Sequence, residues 1–347
     1  MWSLVLLTCT AAMLLLPLLP ALHELLFKSD VQPLPIEHAL RGEVGYFAAS
    51  FGQRVRQWLT ESTPQEAGLL RLATSAPEKA NFDAVGPSIE AVALLGDDVQ
   101  LPAALSLDQE LYAAGHLQVA AASRLRAVLA EGRLCCGDGV EVQRWADAAS
   151  VKAGRHCRFH GRVSARDRIE FGPGTAFERV SAPVIVASGP LEETLGEEAR
   201  PSVTLSSLEQ GRLPTPDRVH PLAQRRTYWR DLRTAQAVAH QGDLVVQGHV
   251  VLASGSHIQG SIKAYQDLHL HGGSEVQGHL VARGAIRVGP GARVRGNLMS
   301  EACIHLAAGS VVGTRDQPVS ITAPTITMAP GATVHGSMSA YEGGRVG

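Results

Sequence analysis

Small and aliphatic residues recur in doublets at a fixed step of six residues through much of this 347-residue chain. In the segment EVQGHLVARGAIRVGPGARVRG, residues 275–296, a doublet of the form x-U-x-U (U is small or aliphatic) returns every six residues, with glycine or proline between doublets. Twelve successive doublets keep this step: Leu244/Val246, Val250/Leu252, Ser256/Ile258, Ile262/Ala264, Leu268/Leu270, Ser274/Val276, Leu280/Ala282, Ile286/Val288, Ala292/Val294, Leu298/Ser300, Ile304/Leu306 and Ser310/Val312.

Each doublet predicts a short β-strand, because alternate side chains of a strand share one face and two of them then point inward. A step of six leaves about four residues for the strand and about two for a bend. Three steps close a coil of about 17–18 residues, and such coils stack about 4.8 Å apart. The sequence therefore predicts an all-β fold, a parallel β-helix (solenoid) with three short strands per coil. A transmembrane barrel needs strands of about ten residues and is excluded.

The residue between the two members of each doublet is predicted to point outward and to stack in a column with its equivalents in neighbouring coils. The three columns are Val245, Lys263, Val281, Met299; Val251, His269, Arg287, His305; and His257, Glu275, Arg293, Val311. Glu275 and Arg293 are expected to form an exposed ion pair. Val245, Val281 and Met299 form either a lateral contact strip or scattered surface apolar residues.

A second, weaker array precedes this one, so we predict a first β-helix over 89–187 and a second over 243–341, with a tail at 342–347. After an insertion at TRDQP the second array resumes with Ile326/Met328, Ala332/Val334 and Met338/Ala340. The segments GRVSARDRIEFGPG, from 161, and GHLVARGAIRVGPG, from 278, align almost residue for residue. The two arrays are therefore copies of one design, arranged either collinearly or side by side.

The step of six is lost over 188–242, which is predicted to be a charged insertion or linker. Its first half is acidic, and its second half contains Arg225, Arg226, Tyr228, Trp229 and Arg230. Packing against the solenoid or docking of a partner fits this composition better than nucleic acid, because the formal net charge of the chain is -2.

The N-terminal segment WSLVLLTCTAAMLLLPLLPAL, from Trp2 to Leu22, contains no charged residue. Its 21 residues would span about 31 Å as a helix, enough to cross a bilayer core, so 1–27 is predicted to be a membrane anchor with Trp2, Leu14, Leu22 and Phe27 in contact with lipid. A secretory signal peptide is disfavoured, because no basic residue precedes the run and no good cleavage site follows it. All Lys and Arg residues follow the span, which predicts a solenoid facing the cytoplasm.

Residues 28–88 are predicted to form a juxtamembrane helical or cap region. Its segment GYFAASFGQRVRQWL places Phe47, Phe51, Val55 and either Trp58 or Leu59 on one helical face. Such a helix would either lie on anionic lipid or cover the open end of the next domain.

No set of residues carries a catalytic, cofactor or metal signature. The five cysteines (Cys9, Cys135, Cys136, Cys157 and Cys303) are odd in number and lack framework spacing, which favours reduced thiols. His269 and His271 lack a completing ligand, and Arg287 would repel a cation. A hexapeptide-repeat acyltransferase is the enzyme alternative, with a polysaccharide lyase behind it, but the histidines lie mostly within or beside strands.

The second array resembles the bactofilin, or polymer-forming cytoskeletal, family over about 95 residues, through VQGHLVARGAIRVGPGARVRGNL and its neighbours. The resemblance implies a right-handed β-helix, with the left-handed hexapeptide type left open. It also implies end-to-end filaments formed without nucleotide on the inner face of the bacterial membrane, where they recruit cell-envelope or morphology proteins.

Few residues follow Ala340, so the last coil is expected to be an uncapped edge available to another copy. Val312, Val334 and Met338 are the candidate interface residues there. Together these features predict a single-pass, membrane-anchored, non-catalytic scaffold of the bacterial inner membrane. Its expected partners are other copies, lipid through residues 2–27, and envelope proteins. With the opposite orientation, it would be an exported β-helical envelope protein.

Overall fold

A computed structural model describes residues 45–61, 69–71, 92–96, 98–189, 213–220 and 225–347. By compactness the chain divides into units 1–43 and 44–347, and every described residue belongs to the second. No helix in this part of the chain is both long and apolar enough to cross a bilayer. The predicted anchor residues Trp2, Leu14, Leu22 and Phe27 lie outside the described residues.

The first array is a stack of parallel strands, as the doublets predicted. Its strands are β1 (Leu69–Arg71), β2 (Val92–Leu95), β3 (Val99–Leu101), β4 (Ser106–Ala113), β5 (Leu117–Val119), β6 (Arg124–Cys136), β7 (Glu141–Ala153), β8 (Arg158–Phe171) and β9 (Ala176–Ala187). From β4 onward, each strand pairs with the strand that lies one coil, 16 to 18 residues, further along. Strands β6 to β9 are long because each turns two corners without leaving the sheet.

The second array repeats the arrangement with strands of two to four residues from β10 to β25, followed by the longer β26 and β27. They are β10 (Arg218–His220), β11 (Arg225–Tyr228), β12 (Leu232–Arg233), β13 (Ala239–Gln241), β14 (Leu244–Val246), β15 (Val250–Leu252), β16 (His257–Gln259), β17 (Ile262–Ala264), β18 (Leu268–Leu270), β19 (Glu275–Val276), β20 (Leu280–Ala282), β21 (Ile286–Val288), β22 (Arg293–Val294), β23 (Leu298–Ser300), β24 (Cys303–Leu306), β25 (Val311–Val312), β26 (Val319–Met328) and β27 (Thr333–Val346).

The inward side chains of both arrays form one continuous hydrophobic core, from Leu101 to Val346. The predicted inward residues are buried through the regular coils, including the small Ala264, Ala282 and Ala292. Small residues are required because three walls converge on a narrow interior. Gly278 shows the same crowding at a bend, where a Cβ atom would overlap the carbonyl group of Gly260 in the coil below.

Three flat faces surround this core, and their outward columns match the prediction. Face 1 carries Thr227, Val245, Lys263, Val281, Met299, Thr322 and Ser339. Face 2 carries Arg233, Val251, His269, Arg287, His305, Thr327 and Arg345. Face 3 carries Ala239, His257, Glu275, Arg293, Val311 and Thr333.

Two predicted boundaries of the second array are wrong. Its first coil begins at Arg225 rather than 243, because Tyr228 and Leu232 pair with the strands that hold Val246 and Val250. This coil has Arg226 and His240 at inward positions, so it lacks the aliphatic doublets that mark the later coils. The predicted tail is also structured: Gly343–Val346 belongs to β27, and Val346 is buried.

The predicted helix is present as α1 (Tyr46–Glu61). Ala48, Phe51 and Val55 are buried against a cluster on the first array formed by Tyr112, Ala127, Leu129 and Trp145. The residues beneath α1 point outward from β4, β6 and β7, so α1 covers the side of the solenoid. The prediction that it covers an open end is therefore wrong: its apolar stripe matches apolar residues on this flank.

Candidate interaction surfaces

The C-terminal coils of the two arrays pair with each other. Strands β9 and β27 are antiparallel, with Val334 opposite Ile185, Met338 opposite Val180 and Arg345 opposite Ala176. Backbone hydrogen bonds extend the junction, including Val346 N–H to Thr175 O at 2.9 Å. The last coils of the two arrays are therefore joined, and the arrays are collinear. Each outer end of the solenoid is the first coil of one array.

The expectation of an uncapped C-terminal edge is therefore wrong, because β9 occupies it. Val334 and Met338 are fully buried at the junction within one chain. Val312 lies further inside, on β25, with β22 on one side and β27 on the other. The sequence offered no signal for this closure, because strand pairing uses backbone groups that all residues share.

The apolar column of face 1 lies where the spacing predicted. Val245, Val281 and Met299 point outward in successive coils, interrupted by Lys263. Met299 is 54% exposed, whereas Val245 and Val281 are half-buried. Face 1 continues across the junction into the first array, through Ser339 and Arg179, to the surface that α1 covers.

Face 2 carries an arginine–histidine column. Arg287 lies between His269 and His305 in the pairing register. Burial lowers the pKa of both imidazoles; the neighbouring His271 and Arg287 lower that of His269 further, and Arg287 lowers that of His305. His269 stacks on His271, with ring centroids 4.6 Å apart. Both histidines therefore resist protonation, as expected beside a permanent cation.

Several of the other histidines have a structural role at the corners, which sequence reasoning missed. The side chain in one coil accepts a hydrogen bond from a backbone N–H in the next coil. Asp267 N–H donates to His249 Nδ1 at 3.3 Å, and Ala285 N–H donates to Asp267 Oδ1 at 2.8 Å. A parallel ladder consists of Asp243, Ser261, His279 and Asn297. A polar residue recurring at a fixed coil position is the signal that would have revealed these ladders.

The expected Glu275–Arg293 ion pair is replaced by another. Glu275 Oε1 lies 3.0 Å from Arg295 Nη2, and Glu275 Oε2 lies 3.6 Å from His257 Nδ1. No group of three or more histidine, cysteine or carboxylate side chains is placed to hold a metal ion in the part of the chain that the structure describes.

The outer end of the second array has a polar interior. Arg226 and His240 take inward positions in its first coil, and Nε2 of His240 is buried without a hydrogen-bond partner. Burial and, to a smaller degree, Arg226 lower the pKa of His240. Strand β10 pairs antiparallel with β11 at this end, and Tyr228 Oη donates to Pro214 O at 3.2 Å. This end is thus partly capped.

A shallow pocket of about 290 Å³ lies where the start of α1 meets faces 1 and 2 of the first array. Its lining includes Phe47, Trp145, Arg162, His160 and Glu178. Arg162 stacks on Phe47, 4.6 Å from the ring centroid, and His160 Nε2 is 3.1 Å from Glu141 Oε1. Two of its polar groups are thus already engaged with neighbouring side chains.

No family model, curated protein or solved structure matches this chain.

Proposed function

We propose that this chain is a membrane-anchored, non-catalytic scaffold, similar to the bactofilins, whose copies associate through solenoid ends. The observation that supports it most is the β9–β27 junction, in which two coils of this size join edge to edge by strand pairing. Coils that pair within one chain have the geometry needed to pair between chains. The resemblance of the second array to bactofilins supports a right-handed coil, a place at the inner face of the bacterial membrane and recruitment of envelope proteins. The uncharged run from Trp2 to Leu22 supports attachment by residues 2–27, and the position of all Lys and Arg residues after it supports a cytoplasmic solenoid.

The free edge of β3, near the outer end of the first array, is the proposed contact between copies; on the neighbouring wall β1 pairs with β2 and extends one coil further. Strand β3 pairs with β5, and no other described strand pairs with it. Val99 N–H donates to His116 O at 2.9 Å and Leu101 O accepts from Ala120 N–H at 3.3 Å, so the backbone groups of Gln100 between them point away from β5. An edge of this kind pairs readily with a second strand.

Because both outer ends are N-terminal coils, two copies meet through the same surface, which closes a dimer. A filament also requires the other outer end, which β10 partly covers. The expected assembly is therefore a pair of end-joined solenoids, extended to filaments only where β10 is displaced.

The variant Gln100→Pro tests this contact, because proline removes the outward N–H without removing a hydrogen bond to β5. Gln100→Thr is the matched control, since threonine suits a strand and keeps the N–H. The full chain in mild detergent is examined by light scattering and negative-stain microscopy, with circular dichroism to verify folding. We expect end-joined particles for the parent and Gln100→Thr, and single solenoids for Gln100→Pro.

Equal assembly of Gln100→Pro and Gln100→Thr would exclude this edge as the contact. Discrete trimers of the parent that bind acyl-coenzyme A would instead support the acyltransferase alternative and contradict the scaffold proposal.

A further inference from the structure

Five of the six exposed large apolar side chains of the described residues lie on one side of the solenoid. Met299 points out from face 1, and Tyr46 and Phe47 begin α1, which packs on face 1. Val219 is the exception, because it lies opposite the inward position of Arg226 at the partly capped end. Trp229 and Tyr341 each directly follow a face 1 strand segment. The exposed fractions run from 46% for Phe47 to 61% for Tyr46, so these side chains are well accessible to a partner.

Basic side chains lie against aromatic rings on this side of the solenoid, including at the corner between faces 1 and 2. Lys263 Nζ and the guanidinium carbon of Arg283 each lie 5.0 Å from the ring centroid of Tyr265. Arg162 takes the same position over Phe47. Asp231, Glu301 and Glu342 are exposed carboxylates in this corner of the second array. Tyrosine, tryptophan and methionine interleaved with lysine and arginine is the composition of a surface that lies at a membrane–water interface.

Faces 2 and 3 have a different character. The column of face 2 is arginine and histidine with half-buried Val251, and that of face 3 includes Glu275, Arg293 and half-buried Val311. Neither exposes a large apolar side chain in the part of the chain that the structure describes.

We infer that face 1, together with its corner toward face 2, is the lipid-facing side of the solenoid and lies flat on an anionic membrane. Single aromatic side chains are spread over six coil steps between Trp229 and Tyr341, about 29 Å at the spacing of neighbouring strands. A protein interface concentrates its apolar contacts in a central cluster, whereas a membrane accepts each aromatic side chain separately.

Gly45, the first described residue, lies beside Ser164 and Asp147 on the first-array part of face 1. The inference rests on the proposed membrane association and adds which face of the solenoid touches lipid.

Paired tryptophan probes test the inference in the full chain. The background carries Trp2→Phe, Trp58→Phe and Trp229→Phe, leaving only the buried Trp145. One variant adds Met299→Trp on face 1, and its control adds Arg293→Trp on face 3 of the same coil. Both positions are exposed and point outward from neighbouring strands, so only the face differs. Vesicles of phosphatidylcholine with about 30% phosphatidylglycerol carry bromine on their acyl chains, which quenches tryptophan on contact.

We expect brominated lipid to quench the Met299→Trp probe about twofold and to leave Arg293→Trp at the background level. Vesicles that co-float the protein but quench neither probe, or both equally, would overturn the inference while leaving the anchor in place. If the protein does not float with the vesicles, both the inference and the proposed membrane anchor are overturned. A blue shift of the Met299→Trp fluorescence emission that depends on protein concentration in the absence of lipid would assign face 1 to a contact between copies. This result would also overturn the inference.

Discussion

Gly344 lies directly opposite Phe177 at the junction between the two arrays. The contact is so close that a Cβ atom on residue 344 would overlap the phenyl ring. Phe177 in turn stacks on Phe171, with ring centroids 5.4 Å apart and planes within 5°. The C-terminal strand can pair with the first array because glycine leaves room for this ring.

Gly344→Ala is therefore expected to loosen the junction and to lower the free energy of unfolding by about 1–3 kcal/mol. Phe177→Leu should recover part of that loss when combined with it, because the smaller side chain makes room for the methyl group. Urea unfolding of the single and double variants measures this coupling. Gly347→Ala is the control, since its Cβ would meet only Met328 O at 3.7 Å. Additive effects of the two substitutions would contradict the contact.

The hydrogen-bond ladders at the corners predict that removing one acceptor side chain lowers the stability of the fold. Asp267→Ala removes the acceptor for Ala285 N–H and should lower the free energy of unfolding by about 1 kcal/mol, whereas Asp267→Asn keeps an acceptor oxygen and should cost less. Asp316→Ala removes an exposed carboxylate from the TRDQP insertion and is expected to have almost no effect. Chemical denaturation of the three variants provides the measurement. If Asp316→Ala costs as much as Asp267→Ala, the ladder does not stabilise the fold.

The arginine–histidine column predicts a loss of stability on acidification. The folded pKa values of His269 and His305 are lowered, so the unfolded chain takes up protons first as pH falls through about 6.5. Stability should therefore decrease from about pH 7.5 to about pH 5.5. The groups facing these imidazoles are His271 and Arg287 for His269, and Arg287 and Thr327 for His305.

Arg287→Gln removes the permanent charge and should reduce this pH dependence without abolishing it, because burial is the larger cause for both histidines. The comparison with the parent cancels the contributions of other titrating groups, such as His240 and Asp147. Urea midpoints measured across this pH range give the result. Identical pH profiles would show that Arg287 has no influence on the imidazoles.

The rate of alkylation should differ between buried and half-buried cysteines. Cys136 and Cys157 are buried in the core, and burial is the largest cause of their raised pKa values, so both should resist alkylation in the native state. Cys135 and Cys303 are half-buried and should react at least about tenfold faster. Peptide mass spectrometry after brief iodoacetamide treatment distinguishes them. Comparable labelling of Cys136 and Cys135 would place both on the surface.

The sequence alone was enough to predict the solenoid, its inward doublets and its outward columns. A period of six residues fixes which side chains share a strand face and which coils lie next to each other, so the register of Val281 against Met299 follows from counting. The helical stripe containing Phe51 and Val55 likewise predicted α1, because apolar spacing identifies a buried helical face.

Only the tertiary structure decided how these parts meet. The β9–β27 junction is made by backbone groups, so the side-chain pattern of neither array predicted it. The first coil of the second array was missed because Arg226 and His240 at a solenoid end need not be aliphatic. The period of a repeat specifies contacts between neighbouring coils, whereas the pairing of two distant edges depends on where the connecting chain brings them.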